Sequence, residues 1–352
     1  MGGSYFERLK ETTDTRLWIN NPTLAEIDLS LDQGAVSCTT NPTFCANQIR
    51  RDPDYALPVV DACLEESDDD NLVADTVQQR LAKPVLEGFL GVHEKSGRRD
   101  GWVSIQGDPH ADTDGAHIID EARRYRDLGP NFIAKIPAIA SGFEAIETLI
   151  AEDMPTIVTE VFSLAQTIHA CELYQRVSSA TGKTPAFYVT HITGIYDEYL
   201  AALVKREGIE IEQSVLDQAG LTAARKQYRL LNDRNYPGII LGGGARGTQH
   251  FTGLVGGAVH ITINWSTAAE ILEMDPAIEN EMETQTDQSV IDELLDKLPD
   301  FRRAYLEDGL ELEEYASYGP VQHFRNQFIG GWDSLLETIR ERRTAVGAGG
   351  RA

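Results

Sequence analysis

Eight short apolar or alternating runs, separated by segments of helical spacing, do most to narrow what this chain can fold into. They are RLWIN (16–20), GAVSCTT (34–40), GWVSIQG (101–107), FIAKIP (132–137), TIVTEVF (156–162), AFYVTHI (186–192), GIILGGG (238–244) and VHITIN (259–264). Strands alternating with helices pair in parallel, and eight such units give either an open doubly wound sheet or a closed barrel. The barrel is favoured because polar residues stand at the C-terminal end of nearly every run: Asn20, Thr40 and Asn41, Gln106, Lys135, Thr159, Tyr188 and Arg246. A barrel brings those ends to one mouth, whereas an open sheet uses mainly the strands at its switch point. In AHIIDEARRYRDLG, Ile118, Ile119, Ala122 and Tyr125 share a helical face and Gly129 is the stop. In SGFEAIETLIAED, Ser141 with Glu144 reads as a capping box. The expected class is α/β: a single (β/α)8 TIM barrel domain over 1–352, with a helical C-terminal extension at 275–343 and a tail at 344–352.

Charge and cysteine usage exclude several function classes. The chain has 352 residues and a formal charge of −25, and such a surface repels nucleic acid and anionic membrane. Neither is expected as a partner. The basic run RERR reads as a solvated helix face and the acidic run EESDDD as an acidic loop or helix end. Cys38, Cys45, Cys63 and Cys171 show neither a CxxC pair nor zinc-site spacing, which fits a reduced cytoplasm. A charged-then-apolar leader is absent from the first residues, and no run reaches ~18 apolar residues, so a cytoplasmic location is expected. His110 and His117 lack a helix-face spacing for metal, and Asp112 and Asp114 do not supply one; no metal site is expected.

FIAKIP places one of eight lysines inside an apolar strand. A lysine there snorkels, pairs with a carboxylate, or is chemically active. Burial disfavours the ammonium and lowers its pKa, leaving an amine able to attack a carbonyl and form a Schiff base without any cofactor. Glu160 follows Thr159, and if Thr159 faces the barrel interior, alternation sends Glu160 outward, where a buried pair with an arginine is expected over a catalytic role. Asp108 ends the third run and is expected to shape its loop.

GIILGGGARGTQHF fits G-x-G-x-x-G through Gly242, Gly244 and Gly247, but it follows the seventh run, not the first. That position argues against a dinucleotide fingerprint and for the phosphate site that barrels build after strands 7 and 8, with Arg246 as a bidentate donor.

LWINN, CTTNPTF, VSIQGDP, AKIPAIASGFEAIETLIAE and IVTEVFSLAQ together resemble successive blocks of the transaldolase family, in order and spacing over roughly 15–270. The resemblance implies a (β/α)8 barrel, Lys135 as the Schiff-base lysine, and Thr40 and Asn41 as substrate contacts. It also implies a phosphate site with Gly244 and Arg246, and His191 where the family has a second phosphate arginine. The long C-terminal helices resemble those of family forms that do not build large rings, which implies a monomer or homodimer. Departures matter as much. Asn20 replaces the family's strand 1 aspartate and Gln106 its strand 3 glutamate, and an amide cannot shuttle protons at neutral pH. Gln106, Ile157, Ala186 and Tyr188 instead resemble the fructose-6-phosphate aldolase branch, in which Tyr188, Thr159 and Gln106 would hold the catalytic water. That branch keeps the strand 1 aspartate, so Asn20 is not accounted for by it. Three readings follow: a Schiff-base aldolase or transaldolase acting on a sugar phosphate or ketose, a phosphoglycosidase or lyase cleaving a phosphorylated glycoside or nucleotide, and an inactive sugar-phosphate-binding barrel.

Overall fold

All eight runs become parallel strands, each beginning and ending within three residues of the stretch read from sequence: β1 (Arg16–Asn20), β2 (Ser37–Thr39), β3 (Val103–Ile105), β4 (Phe132–Pro137), β5 (Thr156–Thr159), β6 (Phe187–His191), β7 (Ile239–Gly242) and β8 (Val259–Ile263). They close in sequence order, with β8 pairing back onto β1, in a computed structural model that describes residues 3–349. In-register residues of parallel strands face the same side, so the register carries one inward phase around the barrel. Asn20 is level with Thr39, Thr39 with Ser104, and Ser104 with Ile133. Lys135 is level with Ile157, and Ile157 with Tyr188.

Two cores result. The larger lies between strands and helices and includes Phe301, Trp332 and Ile339 from the C-terminal segment. A smaller inner core of Trp18, Ile133, Ile157, Tyr188 and Leu241, with Val36 and Trp102 from the N-terminal side, plugs the barrel below its mouth. Trp18 Nε1 donates to His260 Nδ1 at 2.8 Å, so the indole is buried without an orphaned donor.

Some helix starts differ from expectation. The helix after β4 runs Ala140–Ala151 with Ile139 as N-cap, and Ser141 does not cap it. Its hydroxyl donates to the Asp112 carbonyl at 2.6 Å, tying together the loops after β3 and β4. The helix before it, Gly115–Arg126, is capped by Asp114 and ends ahead of Gly129. Asp69, from the acidic run, caps the helix Asp70–Lys95. Asp108 does shape its loop, accepting from His110 N at 2.8 Å.

After β8 the chain forms helices Gln288–Lys297 and Pro299–Tyr305 and then the long helix Gly319–Gly349. That helix runs into the 344–352 stretch expected to be a tail; 350–352 lie outside the described residues. It approaches the barrel mouth closely. A Cβ on Gly331 would stand 2.6 Å from Thr43 Cγ2, and Arg325 holds Asp112 through contacts of 2.7 and 2.8 Å. Among the described residues no helix is long and apolar enough to cross a membrane.

Candidate active site

Lys135 stands on the inward phase near the C-terminal end of β4, where its side chain rises past the apolar plug into a cavity of about 180 Å³ at the mouth. It is only 8% exposed, and among the described residues it makes neither an ion pair nor a hydrogen bond. Its Nζ lies 5.3 Å from the centre of the Phe328 ring, which the C-terminal helix lowers over it. Burial pulls the amine's pKa from 10.5 down to about 8, against a smaller opposing pull from Glu160. The free-amine fraction at neutral pH thereby rises on the order of a hundredfold.

Behind Lys135, off the cavity wall, sits a second polar group. Gln106 Nε2 donates to Glu160 Oε1 at 3.0 Å. Gln106 Oε1, Glu160 Oε2 and Thr159 Oγ1 are all buried and, among the described residues, have no partner. Glu160 therefore does not turn outward to an arginine as alternation suggested. β5 ends at Thr159, and Glu160 takes a left-handed conformation (φ 61°) that swings its side chain back toward Gln106. Gln166 stabilises this turn, donating to the Glu160 and Ala138 carbonyls at 3.1 and 3.0 Å and accepting from Phe162 N at 3.0 Å. Burial, with a smaller push from Asp112, raises the Glu160 pKa to about 7, against Gln106, Lys135 and Arg325, which favour the anion.

The opposite wall is an amide and hydroxyl lattice. Asn20 donates to Asn264 Oδ1 and accepts from Thr39 Oγ1, each at 2.9 Å, and Thr39 Oγ1 lies 2.6 Å from Thr262 Oγ1. Asn41 Oδ1 accepts from Asn21 Nδ2 at 3.1 Å and from the Thr43 amide and hydroxyl at 3.0 and 2.7 Å. With its oxygen engaged, the amide group of Asn41 is the part left to meet a ligand. Thr40 is one residue out of phase: its hydroxyl donates to the Ser104 carbonyl at 2.7 Å, and Thr39 lines the cavity instead.

The glycine-rich loop after β7 reaches the cavity through Gly243, Gly244 and Arg246. Gly244 has φ +66°, and a Cβ there would fall 2.6 Å from Ile192 Cγ2, so both backbone and space call for glycine. Arg246 is ion-paired with Glu198 and donates to Gln327 Oε1 at 3.0 Å. Gln327 in turn donates to Glu198 at 2.9 Å. An anion would enter by displacing Glu198, not by meeting a free guanidinium.

Two expected site residues are elsewhere. His191 points away from the mouth, with Nδ1 2.8 Å from Gln227 Oε1 and Nε2 3.1 Å from the Gly220 carbonyl. Burial lowers its pKa to about 4 against the opposing pull of those oxygens, and with both nitrogens engaged the ring is not free to bind phosphate. Thr190 takes the inward place on β6. Tyr188 belongs to the inner plug, its ring 5.1 Å from Trp18 and 5.3 Å from His260. Burial and then Asp100, which precedes β3 at the far end of the barrel, push its phenol well above the ordinary range. Glu160, and not Tyr188, is therefore the third polar group beside Gln106 and Thr159.

Other residues missed from sequence are Asn264, Thr262 and the helix residues Phe324, Gln327 and Phe328, all on the cavity wall. The inward phase was readable for β6: with Tyr188 inward, a period of two selects Thr190 and rejects His191. The residues proposed against metal binding have other partners: Asp112 with Arg325, Asp114 as a cap, His110 with Asp333 and His117 with Glu121.

Comparison with known proteins agrees with this geometry. A family model described as Transaldolase/Fructose-6-phosphate aldolase matches residues 17–313. A transaldolase of Neisseria meningitidis serogroup A is 30% identical over 172 residues, covering 46% of this chain and 48% of that protein. Transaldolase 1 of Streptomyces coelicolor is 30% identical over 228 residues, covering 61% of this chain and 58% of its own. The chain spans about half the length of the curated relatives it matches. With the match extending over most of a closed barrel that carries a buried lysine at the mouth end of its fourth strand, the chain belongs to the transaldolase/fructose-6-phosphate aldolase family.

Proposed function

We propose that the chain is a Schiff-base enzyme of the aldolase or transaldolase type, acting on a phosphorylated sugar or ketose through an imine on Lys135. The observation that carries this reading is the unpaired, buried Lys135 at the base of a polar cavity, with its pKa lowered to about 8. The neutral amine attacks the substrate carbonyl, and the resulting iminium withdraws electrons from the adjacent bonds. Asn41 and the Asn20, Thr39 and Asn264 lattice present amides and hydroxyls suited to sugar hydroxyls. Arg246 and the Gly244 turn supply the phosphate end once Glu198 gives way.

A second reading has one specific observation in its favour. Among the described residues the cavity wall carries no carboxylate, and Asn20 is engaged as an amide where the aldol step needs a base for the C4 hydroxyl. That supports an elimination or glycosidic cleavage of a phosphorylated glycoside or nucleotide by the same lysine. Product analysis separates the two. Incubation with fructose 6-phosphate, ribose 5-phosphate and AMP, followed by mass spectrometry, is expected to give a shorter aldehyde from the ketose. Release of base from AMP without carbon–carbon cleavage would move the assignment to the second reading, and no product from any donor would favour a binding barrel.

A further inference from the structure

Every carboxylate expected at a site of this kind has become an amide, yet one carboxylate not expected there has turned in. We propose that Glu160, through a water held with Thr159 Oγ1 and Gln106 Oε1, is the proton donor and acceptor for imine formation on Lys135. The proposal rests on the Schiff-base reading above and adds the residue that moves its protons.

Three independent features support it. Glu160 is 1% exposed and occupies a left-handed backbone conformation that L-residues rarely adopt, a geometry Gln166 stabilises from both sides. Its Oε2, Gln106 Oε1 and Thr159 Oγ1 are three buried oxygens without protein partners, on neighbouring strand ends beside Lys135, and buried polar atoms are otherwise nearly always satisfied. The alternatives are taken: Asp112 is held by Arg325, Asn20 by Asn264 and Thr39, and Tyr188 lies in the floor of the barrel. The groups facing Glu160 are Gln106 after β3, Lys135 on β4, Asp112 in the loop after β3 and Arg325 on the C-terminal helix. They leave its carboxyl titrating near 7, beside an amine titrating near 8.

The proton balance closes. Lys135 Nζ attacks the carbonyl carbon, forming C–N while the C=O π pair moves to oxygen. One Nζ proton passes to that oxygen, giving a neutral carbinolamine. The nitrogen lone pair then forms C=N as the C–O bond breaks, and the hydroxyl leaves as water after taking the Glu160 proton through the held water. The iminium cation forms facing a carboxylate anion, so charge appears as an opposed pair. Hydrolysis runs the same transfers in reverse.

The test is the rate of cyanoborohydride-trapped adduct on the intact chain with dihydroxyacetone as probe, across pH 5–9, for wild type, Glu160→Gln and the double variant Q106E/E160Q. Circular dichroism and melting temperature serve as controls on folding. Expected is a rate at least about 100-fold lower in E160Q with loss of the limb near pH 7, and recovery of at least about tenfold when Q106E restores a carboxylate to the same group. An E160Q rate within about threefold of wild type overturns the proposal while leaving the Schiff base intact. A slow E160Q that keeps the wild-type pH limb also overturns it, because the titrating group then lies elsewhere. No adduct on wild type overturns the Schiff-base reading itself, and this proposal with it.

Discussion

The two sides of the barrel mouth solve opposite problems. On the side built by β3, β4 and β5, among the described residues, Lys135 has no ion pair or hydrogen bond, and Gln106, Thr159 and Glu160 each keep an unpartnered oxygen. On the side built by β6, β7 and the C-terminal helix, the arginine and histidine side chains are paired: Arg246 with Glu198 and Gln327, His191 with Gln227 and Gly220, and His250 with Asp197 and the Arg246 amide. Unsatisfied buried groups destabilise a fold and are retained where chemistry uses them; satisfied groups bind only by exchange. On the proposed Schiff-base reading, the first side is the reactive one and the second the selective one.

Substitutions on the two sides should separate accordingly. The largest effect is expected from Lys135→Met, which keeps the volume and removes the nucleophile; turnover should fall at least about 10⁴-fold with the folded state retained, measured as kcat beside a melting curve. Next, Arg246→Ala should raise KM for a phosphorylated substrate about 10–100-fold and leave an unphosphorylated donor nearly unaffected. Glu198→Gln should lower that KM severalfold, since the competing anion is gone; a raised KM would show that Glu198 positions Arg246 instead of blocking it.

A smaller effect concerns stability. The Glu160 pKa is raised from 4.5 to about 7 on folding. Between those values the folded chain holds a proton that the unfolded chain has released, so stability falls as pH rises through this window. The penalty is fully present above 7 and amounts to roughly 3 kcal/mol. E160Q should therefore melt above wild type at pH 8, with the gap closing toward pH 4.5; equal gaps at both would show that Glu160 is not buried as a titrating group. The smallest effect is expected from Tyr188→Phe. Its hydroxyl lies in the floor of the barrel, so kcat should stay within about threefold, and a loss of hundredfold or more would return the phenol to the proton path.

The barrel was legible because each strand is an apolar run with breakers on both sides, and β1 and β4 match their runs residue for residue. Lys135 was legible because a charge inside FIAKIP has few physical explanations. Two errors are slips of one step within an alternation that continues. At the end of β2 the inward residue is Thr39 and not Thr40, and on β6 it is Thr190 and not His191, a single step of phase in each case. Glu160 was unreadable because its direction depends on a left-handed turn fixed by Gln166, six positions later. Phe328 and Gln327 were unreadable for another reason: their place over Lys135 and beside Arg246 follows from the path of a helix distant in sequence from both.

The most direct test of the central claim is borohydride reduction of the chain with fructose 6-phosphate or dihydroxyacetone, followed by peptide mapping of the adduct. The expected result is one stable adduct on the peptide containing Lys135, absent from Lys135→Met. A label on any other lysine, or none with either donor while the chain remains folded, would contradict a Schiff base at this site.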